Sequence, residues 1–177
     1  MNKIIFSLLV LSLTNNVFGQ QIESSNLSSK NSVYVELFGT GTVYSFNFDR
    51  IVYSKASFGI AARIGITYTP VIKDFTDYPA IGFPVEFTGL IGKRNGKLEL
   101  GIGAAYQHLF DEPDNISLLI FAPRIGYRLQ KDQGGLFIKT GFTPWIPIVN
   151  DDSTDEVKLE RKFLPMIGFA IGFTFKK

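Results

Sequence analysis

Large apolar residues alternate with small or polar residues along most of this chain. In residues 163–175 every second position is bulky and apolar, and the positions between them are mostly small. Successive side chains of a β-strand point to opposite faces, so this segment predicts a strand with one bulky apolar face. The same period of two recurs through the chain and predicts an all-β fold.

The alternating segments predict eight strands, each near the ten or so residues that a tilted membrane-crossing strand needs. Asn95 and Gly96 form a strong hairpin signal between the fourth and fifth strands. The predicted strands cover residues 32–39, 42–50, 57–69, 80–92, 97–109, 116–130, 135–143 and 163–175. Short connections are predicted at 51–55, 94–96 and 131–134, and longer ones at 70–79, 111–115 and 144–162. A short first connection at 39–41 departs from this alternation of lengths.

The apolar faces are together too extensive for the rest of the chain to cover. A soluble barrel would turn its large apolar residues inward and coat its outside with polar ones. Here the opposite face carries glycines and single charges, and glycines on a water-exposed face would weaken the strands without a gain. Lipid is therefore the predicted cover, which makes the chain an eight-stranded antiparallel transmembrane up-and-down β-barrel. We expect an integral protein of the outer membrane of a Gram-negative bacterium.

Composition supports this reading and excludes one class of partner. Charged residues make up 19% of the chain, and the formal net charge is +2 without any basic run. This argues against nucleic-acid binding, which needs a basic patch that follows the phosphates. Aromatic residues near the segment ends are expected to form girdles at the membrane interfaces, namely Tyr53, Tyr68, Tyr78, Tyr106, Tyr127 and Trp145.

The N-terminus predicts export. Lys3 precedes an apolar run at 4–13 that is too short to cross a bilayer as a helix, and residues 17–19 precede the expected cleavage point. Residues 1–19 are therefore assigned to a signal peptide, with a retained anchor helix as the alternative. Residues 20–31 are rich in Ser, Asn and Gln and predict a flexible lead, which leaves 32–177 for the barrel. The chain has no Cys, which excludes disulfides and thiolate metal sites.

Charged residues of both signs fall on the face opposite the apolar one. An unpaired charge inside a barrel would be very unfavourable, and an eight-stranded interior is just wide enough to be filled by side chains. We therefore predict an interior ion-pair network formed by Glu36, Asp49, Arg63, Glu86, Glu99, Arg124, Arg128 and Lys139. The small residues Gly168, Ala170 and Gly172 are expected to leave space for the arginines. The alternative is a narrow conduit for small or hydrophobic solutes, gated by Arg124 and Arg128.

An enzymatic alternative rests on His108, the only histidine. A lipid A-modifying enzyme would need a Ser and a carboxylate beside it, and the local candidates are Ser117, Asp111 and Glu112. A histidine at the membrane interface without a catalytic role is the favoured interpretation, so no catalytic residue and no cofactor are predicted. The acidic cluster at 151–156 lacks the glycine turn and spacing of a calcium loop, and no metal site is predicted.

Short sequence matches link the chain to a family. Residues 36–39, 44–50, 63–65, 98–103, 125–128 and 140–144 resemble small outer-membrane β-barrel proteins of Bacteroidota. The ending at 172–175 is similar to the terminal strand signal read by the barrel-insertion machinery, although Lys176 and Lys177 follow the aromatic residue. The resemblance implies an OmpX- or OmpA-like barrel without a settled activity.

The leading functional hypothesis is a non-enzymatic barrel. Its connections at 70–79 and 144–162 would serve structural or interaction roles outside the cell. The expected partners are outer-membrane lipid and lipopolysaccharide, the barrel-insertion machinery during assembly, and other outer-membrane proteins.

Overall fold

The chain forms a closed antiparallel β-barrel. The computed structural model describes residues 29–71, 78–93, 95–110, 116–150 and 164–176. The first seven strands pair antiparallel in chain order around the wall, and the last strand pairs with the seventh and the first and so closes the barrel. Within the described ranges the strands are β1 Asn31–Leu37, β2 Tyr44–Lys55, β3 Phe58–Thr69, β4 Ala80–Ile91, β5 Gly96–Leu109, β6 Ile116–Gln130, β7 Gly135–Phe142, β8 Ile146–Asn150 and β9 Ile167–Phe175.

Two of these strands share one position in the wall. β6 pairs with β7 through Ile125 and Phe142, and the same register continues to β8 through Phe121 and Ile146. That register places Pro144 opposite Pro123, and because a proline has no N–H the ladder is interrupted there. The wall therefore has eight positions, which confirms the prediction of an all-β, eight-stranded up-and-down barrel.

The prediction of an unbroken connection at 144–162 was wrong for residues 146–150, which form β8. The prediction of a connection at 51–55 was also wrong, because β2 runs to Lys55 and the turn is formed by Ala56 and Ser57. A bulge between Ile51 and Tyr53 shifts the register by one residue. Two successive residues are exposed there, and this breaks the period of two on which the prediction depended.

The two faces of the strands differ in the way the alternation predicts. Large apolar side chains point outward on every strand of the wall, and Ile64 and Ile102 are 62% and 61% exposed. Most of the charged residues of the strands point inward and are buried, together with small and neutral polar ones. The interior also contains two apolar clusters, one formed by Ile51, Ala61 and Leu90 and the other by Tyr34, Phe137 and Ala170.

The small residues of β9 do not make room for arginines, contrary to the prediction. Ala170 packs with Tyr34 and Phe137, and a Cβ on Gly168 would lie 2.9 Å from the Cα of Gly39. The glycines beside Arg124 belong to β6 and β7, where a Cβ on Gly126 would lie 3.4 Å from Arg124 Nε and one on Gly141 would lie 3.1 Å from Arg124 Nη2. Both would lie closer still to the facing backbone.

The two ends of the barrel differ in their connections. The turns at 56–57, 92–95 and 131–134 lie at the end where β1 begins and β9 ends, which we call the short-turn end. The connections after β1, β3, β5 and β8 lie at the opposite end, which we call the long-loop end. No helix in the described ranges is long and apolar enough to cross a membrane. The assigned signal peptide and most of the lead lie outside the described residues.

Candidate functional site in the barrel interior

All of the charged residues assigned to the interior from sequence lie inside the barrel in one connected set of ion pairs. Arg63 on β3 contacts Glu36 on β1 at 2.6 Å and Glu86 on β4 at 3.2 Å. Arg124 on β6 contacts Glu36 at 3.0 Å and Glu99 on β5 at 3.2 Å. These side chains are at most 1% exposed, so their charges are compensated by each other rather than by water.

The second half of the network crosses the lumen. Arg128 on β6 binds Asp49 on the opposite wall through two parallel hydrogen bonds of 2.8 Å, and its Nε donates to Glu99 at 2.6 Å. Lys139 on β7 lies 3.1 Å from Glu86 and 3.9 Å from Glu99. The bidentate pairing of Arg128 with Asp49 fixes the relative orientation of the two side chains and also pairs their charges. Four carboxylates meet four cations, so the network carries no net charge.

The register alone would put two like charges side by side. Arg128 lies directly opposite Lys139 in the β6–β7 ladder, where two cations repel each other. Glu99 contacts both of them and Arg124 as well. The Glu99 carboxylate, which comes from β5, thus compensates the repulsion between Arg128 and Lys139. The pairing of these two cations therefore depends on a strand outside the β6–β7 ladder.

Neutral groups satisfy several of the remaining hydrogen-bonding positions. Arg63 Nε donates to Asn47 Oδ1 at 2.9 Å, and Thr88 Oγ1 donates to Glu86 Oε1 at 2.9 Å. Arg124 Nη1 donates to Thr143 Oγ1 at 3.1 Å, and Arg128 Nη1 donates to Gln130 Oε1 at 3.2 Å. Polar partners matter here because a buried charged group with unmet hydrogen bonds is unfavourable.

Two aromatic rings in the network were missed from the sequence. Tyr34 and Phe137 stack with their centroids 4.8 Å apart, and Arg63 and Lys139 lie 5.8 Å and 5.3 Å from the Tyr34 ring. Arg128 lies 5.1 Å from the Phe137 ring. The alternation along each strand could have identified both rings, since Tyr34 lies on the same face as Glu36 and Phe137 on the same face as Lys139.

The turn between β1 and β2 folds into the barrel. We call residues 38–43 the inward turn. Thr40 is fully buried and donates a hydrogen bond of 3.2 Å to Glu86 on the far wall. A Cβ on Gly103 of β5, also across the lumen, would lie 3.5 Å from Thr40 Cγ2. The inward turn therefore covers the ion-pair network from the long-loop end.

Local chemistry explains the path of the inward turn. Phe38 and Thr42 have positive φ angles of 56° and 61°, which are unusual for residues with bulky or branched side chains. The Thr42 hydroxyl group compensates by donating to Gly41 O at 2.7 Å and pairing with Thr69 Oγ1 at 2.6 Å. A Cβ on Gly39 would overlap the Glu36 carboxylate, so a larger residue would not fit in this arrangement.

Trp145, which directly precedes β8, forms a hydrogen bond with the inward turn. Its indole Nε1 donates to Gly39 O at 3.1 Å, and the residue is half-buried. The assignment of Trp145 to an interfacial girdle stays a prediction, and its indole N–H is bound to the inward turn. Tyr53, Tyr68, Tyr78, Tyr106 and Tyr127 are exposed on the outside.

A second polar group lies on the outer wall. His108 on β5 lies opposite Ser117 on β6, with Nδ1 3.3 Å from Ser117 Oγ. The Tyr106 hydroxyl group lies 2.9 Å from the same oxygen. The carboxylates considered with His108, Asp111 and Glu112, lie outside the described residues, as does the acidic cluster at 151–156. Among the residues that are described, no three His, Cys, Asp or Glu side chains are grouped as metal ligands.

Comparison with known proteins assigns no family to this chain. No protein-family model and no curated protein matches the chain. The structure is that of a small eight-stranded antiparallel barrel. It therefore supports the fold that the resemblance implied, and not membership of a particular family.

Proposed function

We propose that this protein is a non-enzymatic integral barrel of an outer membrane, with a closed interior and with contact surfaces at its long-loop end. The observation that carries the proposal is the inverted polarity of the fold. Eight charged residues are paired inside, while large apolar residues such as Ile64, Phe87 and Ile102 cover the outside.

The exposed apolar surface supports lipid as the surrounding medium. Monomeric soluble proteins rarely expose contiguous apolar patches larger than a few hundred Å². Here apolar side chains cover the outside of every strand position, including β1 through Val33 and β9 through Ile171. The sheet also closes on itself through the pairing of β9 with β1, and closed sheets are the form in which β-structure is tolerated in hydrocarbon.

A closed interior is favoured over a conduit by two features. The ion pairs of Arg128 with Asp49 and of Lys139 with Glu86 cross the lumen, and the inward turn places Thr40 above them. Solute passage would require several of these contacts to break together. We therefore assign a structural role to the ion-pair network. Interaction with partners is assigned to residues 70–79 and 151–163.

Refolding into lipid tests the proposal. We expect the chain, diluted from urea into phospholipid vesicles, to migrate differently on gels before and after heating and to yield a trypsin-resistant core. Planar bilayers containing it should show no stable open channel. A folded monomer in buffer without lipid or detergent would overturn the membrane assignment, and a stable open channel would overturn the closed interior.

Modification of a membrane lipid is a second candidate function, favoured by the Ser117–His108 contact. A serine hydroxyl beside an imidazole can act as a nucleophile with its base. A fluorophosphonate probe applied to the refolded barrel distinguishes the candidates. If the barrel is not an enzyme, we expect the unmodified protein to be labelled no more than Ser117→Ala. Labelling of the unmodified protein that is lost in both Ser117→Ala and His108→Ala would instead indicate an acyl-transfer function.

A further inference from the structure

Basic residues surround one end of the barrel. The exposed residues Lys30, Arg50, Lys55, Lys131 and Lys176, which we call the basic collar, lie at the short-turn end. Lys30 precedes β1, Lys55 ends β2, Lys131 follows β6 and Lys176 follows β9. Arg50 lies further along β2, where it pairs with Asn31 at the start of β1. The collar is therefore distributed around the wall rather than confined to one hairpin, and Lys93 lies at the same end between β4 and β5.

Acidic residues do not balance the collar. Among the described residues, Asp132 is the only carboxylate at this end, and it lies 3.7 Å from Lys97, which is outside the collar. The other described carboxylates, Glu36, Asp49, Glu86 and Glu99, are buried in the interior network. The short-turn end thus presents a net positive charge to its surroundings.

The opposite end has the reverse composition. In the segments that join strands there, acidic residues outnumber basic ones. The acidic residues are Asp74, Asp77, Asp111, Glu112, Asp114, Asp151, Asp152, Asp155, Glu156 and Glu160, and the basic ones are Lys73, Lys158, Arg161 and Lys162. The charge asymmetry thus appears in the sequence of the connecting segments, although the formal net charge of the chain is only +2.

The residues beside the collar point to the kind of partner. Tyr53, Phe58, Tyr127 and Phe175 are exposed on the outer wall near the same end. Aromatic rings beside cations on an apolar wall match the composition of a bilayer interface, where aromatic side chains and cations lie at the level of the headgroups. A soluble acidic partner would not require an apolar band directly beside the charges.

We propose that the basic collar binds the phosphate groups of anionic phospholipids in the leaflet at the short-turn end. This inference rests on the proposed membrane function. Each lysine or arginine near an anionic surface strengthens attraction about fivefold, and the effect decays within a Debye length of about 10 Å at 0.1 M salt. The collar therefore gives the barrel a preferred leaflet.

Spin-labelled lipids provide the test. The full chain is refolded into phosphatidylcholine vesicles that contain trace spin-labelled phosphatidylglycerol or phosphatidylcholine, and the fraction of immobilised label is measured. We expect phosphatidylglycerol to be preferred at least threefold at low salt and the preference to fall at 1 M salt. Lys30→Gln, Arg50→Gln, Lys131→Gln and Lys176→Gln combined should bring the preference close to one.

A matched variant controls for net charge. Lys73→Gln, Lys158→Gln, Arg161→Gln and Lys162→Gln remove the same number of cations from segments at the long-loop end, and this variant should keep the preference. Equal loss in both variants, or no preference in the unmodified barrel, would overturn the collar. Failure to insert would instead contradict the membrane function, since insertion is scored separately by heat-modified migration.

Discussion

The inner and outer faces of the same strands follow opposite rules. On β3, Arg63 is buried and bound to two carboxylates, while the next residue, Ile64, is largely exposed. A soluble domain would reverse these positions, since water solvates charge and excludes apolar surface. This contrast is the one that the proposed lipid surroundings would favour, and it predicts where each kind of substitution will be harmful.

Loss of an interior charge should have the largest effect. Arg128→Ala leaves Asp49 and one oxygen of Glu99 without their partner in a closed interior, so we expect a loss of about 3–5 kcal/mol of unfolding free energy. Urea unfolding in vesicles measures it. The matched control is Arg50→Ala, which removes an exposed arginine, and a similar loss in both would mean that burial does not decide the effect.

A charge-neutral double variant sharpens this prediction. Asp49→Asn with Arg128→Gln keeps the interior neutral, so it should lose less stability than the sum of the two single changes. Additive losses would indicate that the two residues act independently.

A charge placed on the outer face should have the next largest effect. Ile102→Arg lies at mid-strand and should cost about 2–4 kcal/mol in a bilayer, whereas Ile91→Arg, at the end of β4, should cost about 0–1 kcal/mol. Both residues are exposed, so a barrel in water would tolerate them equally. Unfolding in vesicles distinguishes these cases, and equal tolerance of the two changes would mean that lipid is absent.

The inward turn should tolerate little change in volume. Gly39→Ala directs a methyl group into the Glu36 carboxylate, which is fixed by two arginines, and should cost about 1–3 kcal/mol through overpacking. The control is Gly89→Ala, whose Cβ would meet its neighbours at ordinary distances of 3.5 Å or more. If Gly39→Ala is as stable as the control but conducts ions, the turn is a movable cover rather than a fixed one.

The outer polar group should matter least. His108→Ala removes a half-buried ring on the outside of the wall, and we expect a stability change within about 0.5 kcal/mol. The lipid A acylation pattern of cells that carry this variant should match that of unmodified cells. An altered pattern would identify the Ser117–His108 contact as functional.

Sequence reasoning was most successful where alternation was regular. β3, β4, β5 and β6 were placed within about two residues of their observed ends, and their outward and inward sets agree with the observed exposure. It failed at the bulge after Ile51 and at Pro144, where a local irregularity interrupts the period of two. A period of two carries no information about whether a strand continues beyond such a break.

The sequence by itself determined which residues face inward, because parity along a strand is a local property. It also determined that the interior must balance its charges, since an isolated buried charge is strongly unfavourable. Only the tertiary structure decided which charges meet. Arg128 reaches Asp49 across the lumen, and Thr40 reaches Glu86 from the inward turn, because closing the sheet brings distant strands face to face. Those pairings depend on register around the whole wall, which no single segment encodes.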